Sequence, residues 1–173
     1  SEPTPIACPR LRQSRGIVMN RYARDTSVSV DRSKGEIERV LSRYGATQFI
    51  SAWDQEKAVI GFRADNRVIR FTLPLPSKQD FAMTPKGRRR RDQDDVLRVW
   101  EQACRQRWRA LALVIKAKLE AVASGIAMFE DEFLAYIQLP SGQTMGEWAK
   151  PQIAKAYDGK RMPAMLPGLG ETS

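Results

Sequence analysis

Histidine is missing from all 173 residues, and cysteine occurs only as Cys8 and Cys104. Those gaps remove zinc sites, Ser-His and Cys-His nucleophilic pairs, and imidazole acid–base chemistry. One cysteine lies in a Pro-rich leader and the other inside a helical pattern. That placement argues against a structural disulfide and points to a reducing, cytoplasmic compartment. Long apolar runs are missing too: nothing approaches the roughly 18–20 residues of a membrane span. The leader "SEPTPIACPRLRQSRGIVMN" has no uninterrupted apolar stretch of the secretory kind. Neither "SKGE" nor "PSGQT" carries the Gly-Lys-Ser/Thr pattern that cradles phosphates.

What the chain has is positive charge. The formal net charge is +9, which favours polyanions such as DNA, RNA or an anionic membrane without naming one. Residues 86–118 hold eleven Lys or Arg against four acids, so +7 of the +9 is concentrated in that stretch.

The apolar pattern predicts an α+β fold: a short N-terminal helix, a three-stranded antiparallel meander, a long amphipathic helix and two shorter helices. Residues 1–27, with three prolines and five arginines, read as a flexible basic arm. Residues 28–160 read as one α+β domain, and 161–173 as a Pro-rich tail. In the first helix Ser33 is the expected N-cap, with Glu36 three residues on. Ile37, Val40, Leu41 and Tyr44 form its apolar face, and Gly45 is the stop.

"TQFISAW", "KAVIGF" and "RVIRFTL" read as strands joined by tight turns at "DQE" and "RADN". Period-2 reading places Ala58, Ile60, Phe62, Ile69, Phe71 and Leu73 inward, with Lys57, Arg63 and Arg70 opposite. Pro74, Pro76 and Pro85 then predict a mobile loop.

The long helix is expected from about Asp92 to Ser124, with Gly125 as stop. Its apolar stripe is Leu97, Trp100, Cys104, Trp108, Leu111, Ile115, Leu119 and Val122. A further helix over "IAMFEDEFLAYIQL" turns Ile126, Phe129, Phe133 and Ile137 inward. Thr144 and Glu147 open a last helix that Pro151 should kink or restart.

On the long helix Arg98, Arg105, Arg109 and Lys116 fall within about 40° of one another, roughly 115° around from the stripe. The row spans about 27 Å at about 1.5 Å per residue, comparable with most of a duplex turn. Glu101 and Glu120 are read as the nearest acids to the row, and neither is expected to give it regular i,i+4 neutralisation. The tetrad Arg88, Arg89, Arg90 and Arg91 adjoins the helix start, where cations oppose the dipole and one another, so a partner explains it better than helix stability does. The bland alternative for both is a solvated polar surface.

Trp100 and Trp108 belong to the stripe and are read as core. Trp53 and Phe49 share a parity in the first strand, where burial is favoured over a stacking platform. Catalytic patterns fail. In "WDQEK", Glu56 and Lys57 are adjacent where an acid-x-Lys arrangement needs a spacer. Glu130, Asp131 and Glu132 are consecutive helix positions about 100° apart and do not converge on magnesium.

"RYARDTSVSVDRSKGEIERVLSRYGATQFISAW", "ACRQRWRALALVIKAKLEAV" and "LPSGQTMGEWAKPQIAKAY" together resemble a family of small uncharacterised proteins encoded by tailed bacteriophages and prophages, over roughly residues 21–167. The resemblance implies expression in the cytoplasm of a bacterial host and carries no activity with it. Residues 1–18 depart from the family pattern, whose members begin near "RYA", and read as upstream sequence.

The functional expectation is a non-enzymatic nucleic-acid-binding protein, DNA favoured, with no cofactor and no metal. Arg88 to Arg91, Arg98, Arg105, Arg109 and Lys116 are its phosphate contacts. The alternative is a module whose basic helix docks an acidic phage or host protein.

Overall fold

The computed structural model describes residues 27–54, 56–84, 87 and 89–159. The expected basic arm up to residue 26, the last residue of the expected domain (160), the expected tail 161–173, and Arg88 lie outside them. The first helix, α1, spans Val30–Arg43 and is capped by the Ser29 side chain, which accepts from the Arg32 N–H at 3.2 Å. Ser33, the expected cap, is instead fully buried one turn inside the helix. The Ser-x-x-Glu spacing is present, yet Val30 packs against the core and draws the helix start upstream. Ile37 and Leu41 are buried, Val40 and Tyr44 pack at their margin, and the helix ends before Gly45 as expected.

Three antiparallel strands follow in order: β1 (Gln48–Trp53), β2 (Lys57–Ala64) and β3 (Arg67–Pro74). Asp54 closes the first turn by accepting from the Glu56 and Lys57 N–H groups, each at 2.8 Å. Between β2 and β3 the two-residue loop Asp65-Asn66 has φ of 48° and 57°. Both values suit the left-handed turn that matches strand twist. The register pairs Ile60 with Phe71 and Phe62 with Ile69. Ala58, Ile60, Phe62, Ile69 and Phe71 are buried together against α1 and the long helix, as period 2 requires.

The long helix, α2, spans Gln93–Ala123; Asp92 caps it by accepting from the Asp95 N–H at 2.7 Å. Gly125, at φ 73°, ends it in a backbone conformation that a side chain would strain. Cys104, Trp108, Ile115 and Leu119 are buried and Trp100, Leu111 and Val122 half-buried, so the expected stripe forms from Trp100 onward. Leu97 stays 40% exposed. Periodicity assigns a residue to a face but does not supply a neighbour to cover it.

The segment between β3 and α2 is more organised than its prolines suggest. A 3₁₀ turn, Lys78–Phe81, is closed by a reciprocal Ser77–Asp80 capping box and buries Phe81. The Trp100 indole N–H donates to the Pro76 carbonyl at 2.7 Å, and Arg91 donates to the Phe81 and Met83 carbonyls at 3.0 and 2.7 Å. Trp100 of α2 and Arg91 just before it thus satisfy loop carbonyls that lie outside the strand ladder.

The expected helix over residues 126–139 shrinks to α3, Phe129–Phe133, followed by a 3₁₀ turn over Leu134–Tyr136. Ile126, expected inward, is 81% exposed. Phe133 is fully buried, edge-on to Phe62 and Phe71 at centroid distances of 6.0 and 6.3 Å. Ile137 has left the helix to bridge Ile69 beside β3. Four such residues cannot share one helix face once Ile137 is held at the sheet edge.

The last helix, α4, spans Met145–Gly159 and runs through Pro151 without restarting. Thr144 and Glu147 form the expected box, with Glu147 Oε2 accepting from the Thr144 N–H at 2.8 Å and Thr144 Oγ1 from the Glu147 N–H at 3.2 Å. A Cβ on Gly146 would lie 2.8 Å from the Ala135 carbonyl oxygen, so glycine permits this close approach of α4. No helix among the described residues is long and apolar enough to cross a membrane.

Candidate nucleic-acid interface

The arginine row exists, but its members have different work. Arg98 is 77% exposed and pairs with Asp95, one turn earlier, at 2.6 Å. Arg105 is held by the Gln102 side chain at 2.7 Å and faces Glu101 at 3.9 Å. Arg109 reaches across to α1 and pairs with Glu36, both side chains being about three-quarters buried. The expectation that the row's acids leave its field intact is therefore corrected. Glu101 lies within reach of Arg105, and Glu36, distant in sequence, arrives through the packing of α1 on α2. Lys116 is exposed, and no ion pair among the described residues engages it.

The tetrad divides as well. Arg91 is committed to the two loop carbonyls described above. Arg89 and Arg90 are exposed, on a backbone fixed by the Met83–Arg90 bridge and by the Thr84 N–H donating to the Arg89 carbonyl at 2.9 Å. Of the eight expected contacts, Arg89, Arg90, Arg98 and Lys116 are thus presented to solvent. Arg91, Arg105 and Arg109 hold the fold. An exposed pair such as Arg98–Asp95 is worth little, so it does not commit Arg98 to the fold.

The three consecutive acids of α3 turn to different partners: Glu130 to Arg67 at 2.6 Å and Glu132 to Lys118 at 2.9 Å, with Asp131 exposed. They build no shared ligand set. On the outer sheet face Arg70 is tied to Glu147 of α4 at 2.6 Å, so the basic face expected there is partly covered.

One cleft was not legible in the sequence. A cleft of about 1110 Å³ opens between the start of α1, the β1–β2 turn, the segment before α2 and the first turns of α2. Three tryptophans line it. Trp108 is buried and Trp100 half-buried, in keeping with the stripe, but Trp53 is 69% exposed, against the expectation of burial. Trp53 has the inward parity, paired opposite Ala58, yet it ends an edge strand, where a lysine side chain of α1 rather than an apolar one meets its ring. Lys34 Nζ sits 4.3 Å from the Trp53 ring centroid and 4.9 Å from that of Trp108, and Lys78 Nζ sits 4.8 Å from that of Trp100. Such contacts draw an ammonium to the negative face of a ring. Cys104 lies at the cleft wall, where burial pushes its thiol up from the ordinary value and keeps it protonated.

No family model, no curated protein and no solved structure matches this chain.

Proposed function

We propose that the protein is a non-enzymatic nucleic-acid-binding accessory protein of a tailed bacteriophage or prophage, acting in the cytoplasm of a bacterial host. It contacts the phosphate backbone through the exposed cations at and beyond the start of α2. The observation that carries this reading is the combination of a +9 chain with Arg89, Arg90 and Lys116 exposed and outside every ion pair among the described residues. Cations that stabilise nothing within the fold are available to neutralise phosphate and release its counterions. Arg98 joins them by exchanging Asp95.

Gel shifts with single- and double-stranded DNA and RNA at two salt concentrations test the reading. Binding should fall steeply with salt, with a slope of about 0.9 per phosphate contact on duplex. Gln at Arg89, Arg90 and Lys116 together should lower that slope by about one unit per true contact and leave the melting temperature in place.

Absence of binding at low salt favours the second reading, a module that docks a protein partner. One observation supports it: α4 contributes no buried residue, and Ile153 and Tyr157 on it are 54% and 82% exposed.

A further inference from the structure

The tryptophan cleft has no part in the backbone contacts proposed above, and its chemistry is of another kind. Trp53, at the end of β1, is 69% exposed. Trp100 is locked by its N–H bond to the Pro76 carbonyl at 2.7 Å. Two ammonium groups, Lys34 and Lys78, lie within 5 Å of the rings. Of the cleft's acids, Asp54 and Asp80 are turned onto backbone N–H groups of their own turns. Hydrogen bonds from the Glu56 and Lys57 N–H groups hold the Asp54 carboxyl below the usual carboxylate range. The surface left for a ligand is therefore the face of Trp53 that Lys34 does not cover, with ammonium groups close by, and Glu56 is the remaining acid of the lining.

We infer that this cleft receives an unpaired base of a single-stranded nucleic acid, stacked on Trp53, with Lys34 and Lys78 taking the adjoining phosphates. Every base has a π-face, so such a site is tolerant of sequence while it rejects a duplex, whose bases are already stacked. A cationic ligand caged by the same rings is disfavoured by the two ammonium groups already placed over them. The inference rests on the nucleic-acid reading and adds strand preference to it.

The experiment compares the full chain binding oligo(dT) of about ten nucleotides with binding an abasic oligomer of equal length, which keeps the phosphates and lacks the bases. Wild type should prefer oligo(dT) by roughly 5- to 150-fold, the range set by stacking of one base, and its tryptophan fluorescence should be quenched. Trp53→Ala should abolish the preference and the quenching, with abasic binding and melting temperature unchanged, and Trp53→Phe should restore part of both. A Lys34→Gln, Lys78→Gln variant should lose affinity for both oligomers. Equal affinity of wild type for the two, with salt-dependent binding intact, overturns the base site and leaves the proposed function standing. Binding of neither overturns both. Quenching by tetramethylammonium but not by oligo(dT) overturns the base site in favour of a cation cage.

Discussion

The two helices α2 and α4 begin alike and end differently. Each is opened by a side chain that accepts from the backbone N–H three residues on: Asp92 at 2.7 Å, Thr144 at 3.2 Å. Each carries tryptophan. In α2, Trp108 is 3% exposed and five further residues are buried, whereas α4 buries none and its Trp148 is 36% exposed. Capping decides where a helix starts, worth about 1 kcal/mol. Burial of a full side chain contributes more and decides whether the rest of the fold depends on that helix.

The sharpest way to break the comparison is to remove the two tryptophans in turn. Trp108→Ala should destabilise the protein by about 3–5 kcal/mol, as large core deletions do. Trp148→Ala should cost less than about 1 kcal/mol, in line with a residue left at the surface. Chemical denaturation of both variants checks this, and equal losses would show that α4 is structurally essential after all.

A smaller effect is expected where α2 meets α1. Arg109→Gln removes the partner of Glu36 and should cost about 1.5–3 kcal/mol, the range for a hydrogen bond to a charged group. Arg98→Gln, losing an exposed pair, should be close to neutral. A double-mutant cycle of Arg109→Gln with Glu36→Gln isolates the coupling, and additive losses would return Arg109 to the set of free phosphate contacts.

The smallest effect concerns the start of α4. Hydrogen bonding from the Thr144 N–H, helped by Arg70, holds the Glu147 carboxyl below its usual 4.5. A group with a depressed folded value stabilises above its unfolded value and loses that contribution as pH falls through the folded one. Protection of the first turn of α4 in hydrogen exchange should therefore decline below about pH 4.5. Glu147→Gln should flatten that dependence, and Thr144→Ala should cost about 1 kcal/mol at neutral pH. An unchanged pH profile in Glu147→Gln would assign the acid sensitivity elsewhere.

The strand parity of β2 and β3, the stripe of α2 from Trp100 to Val122, the stops at Gly45 and Gly125 and the Thr144 box were all legible in the chain itself. Each depends on neighbours within a few residues or on a simple period: 2 for the strands, 3.6 for the helix. The candidate site was legible only as a set of cations. Whether Arg109 is free depends on Glu36, 73 positions away in sequence. Whether Arg91 is free depends on the Phe81 and Met83 carbonyls, about ten residues before it in the loop that leads to α2. Trp53 has the parity of a core residue and the exposure of a surface one, because it ends the edge strand β1, where α1 meets its ring with a lysine and not with an apolar side chain. Local sequence determined the α1, β2, β3 and α2 elements and most of their inward faces, since backbone geometry and hydrophobic period act over short range. Tertiary packing alone decided which charges are spent and which rings remain open, because both depend on residues brought together from distant parts of the chain.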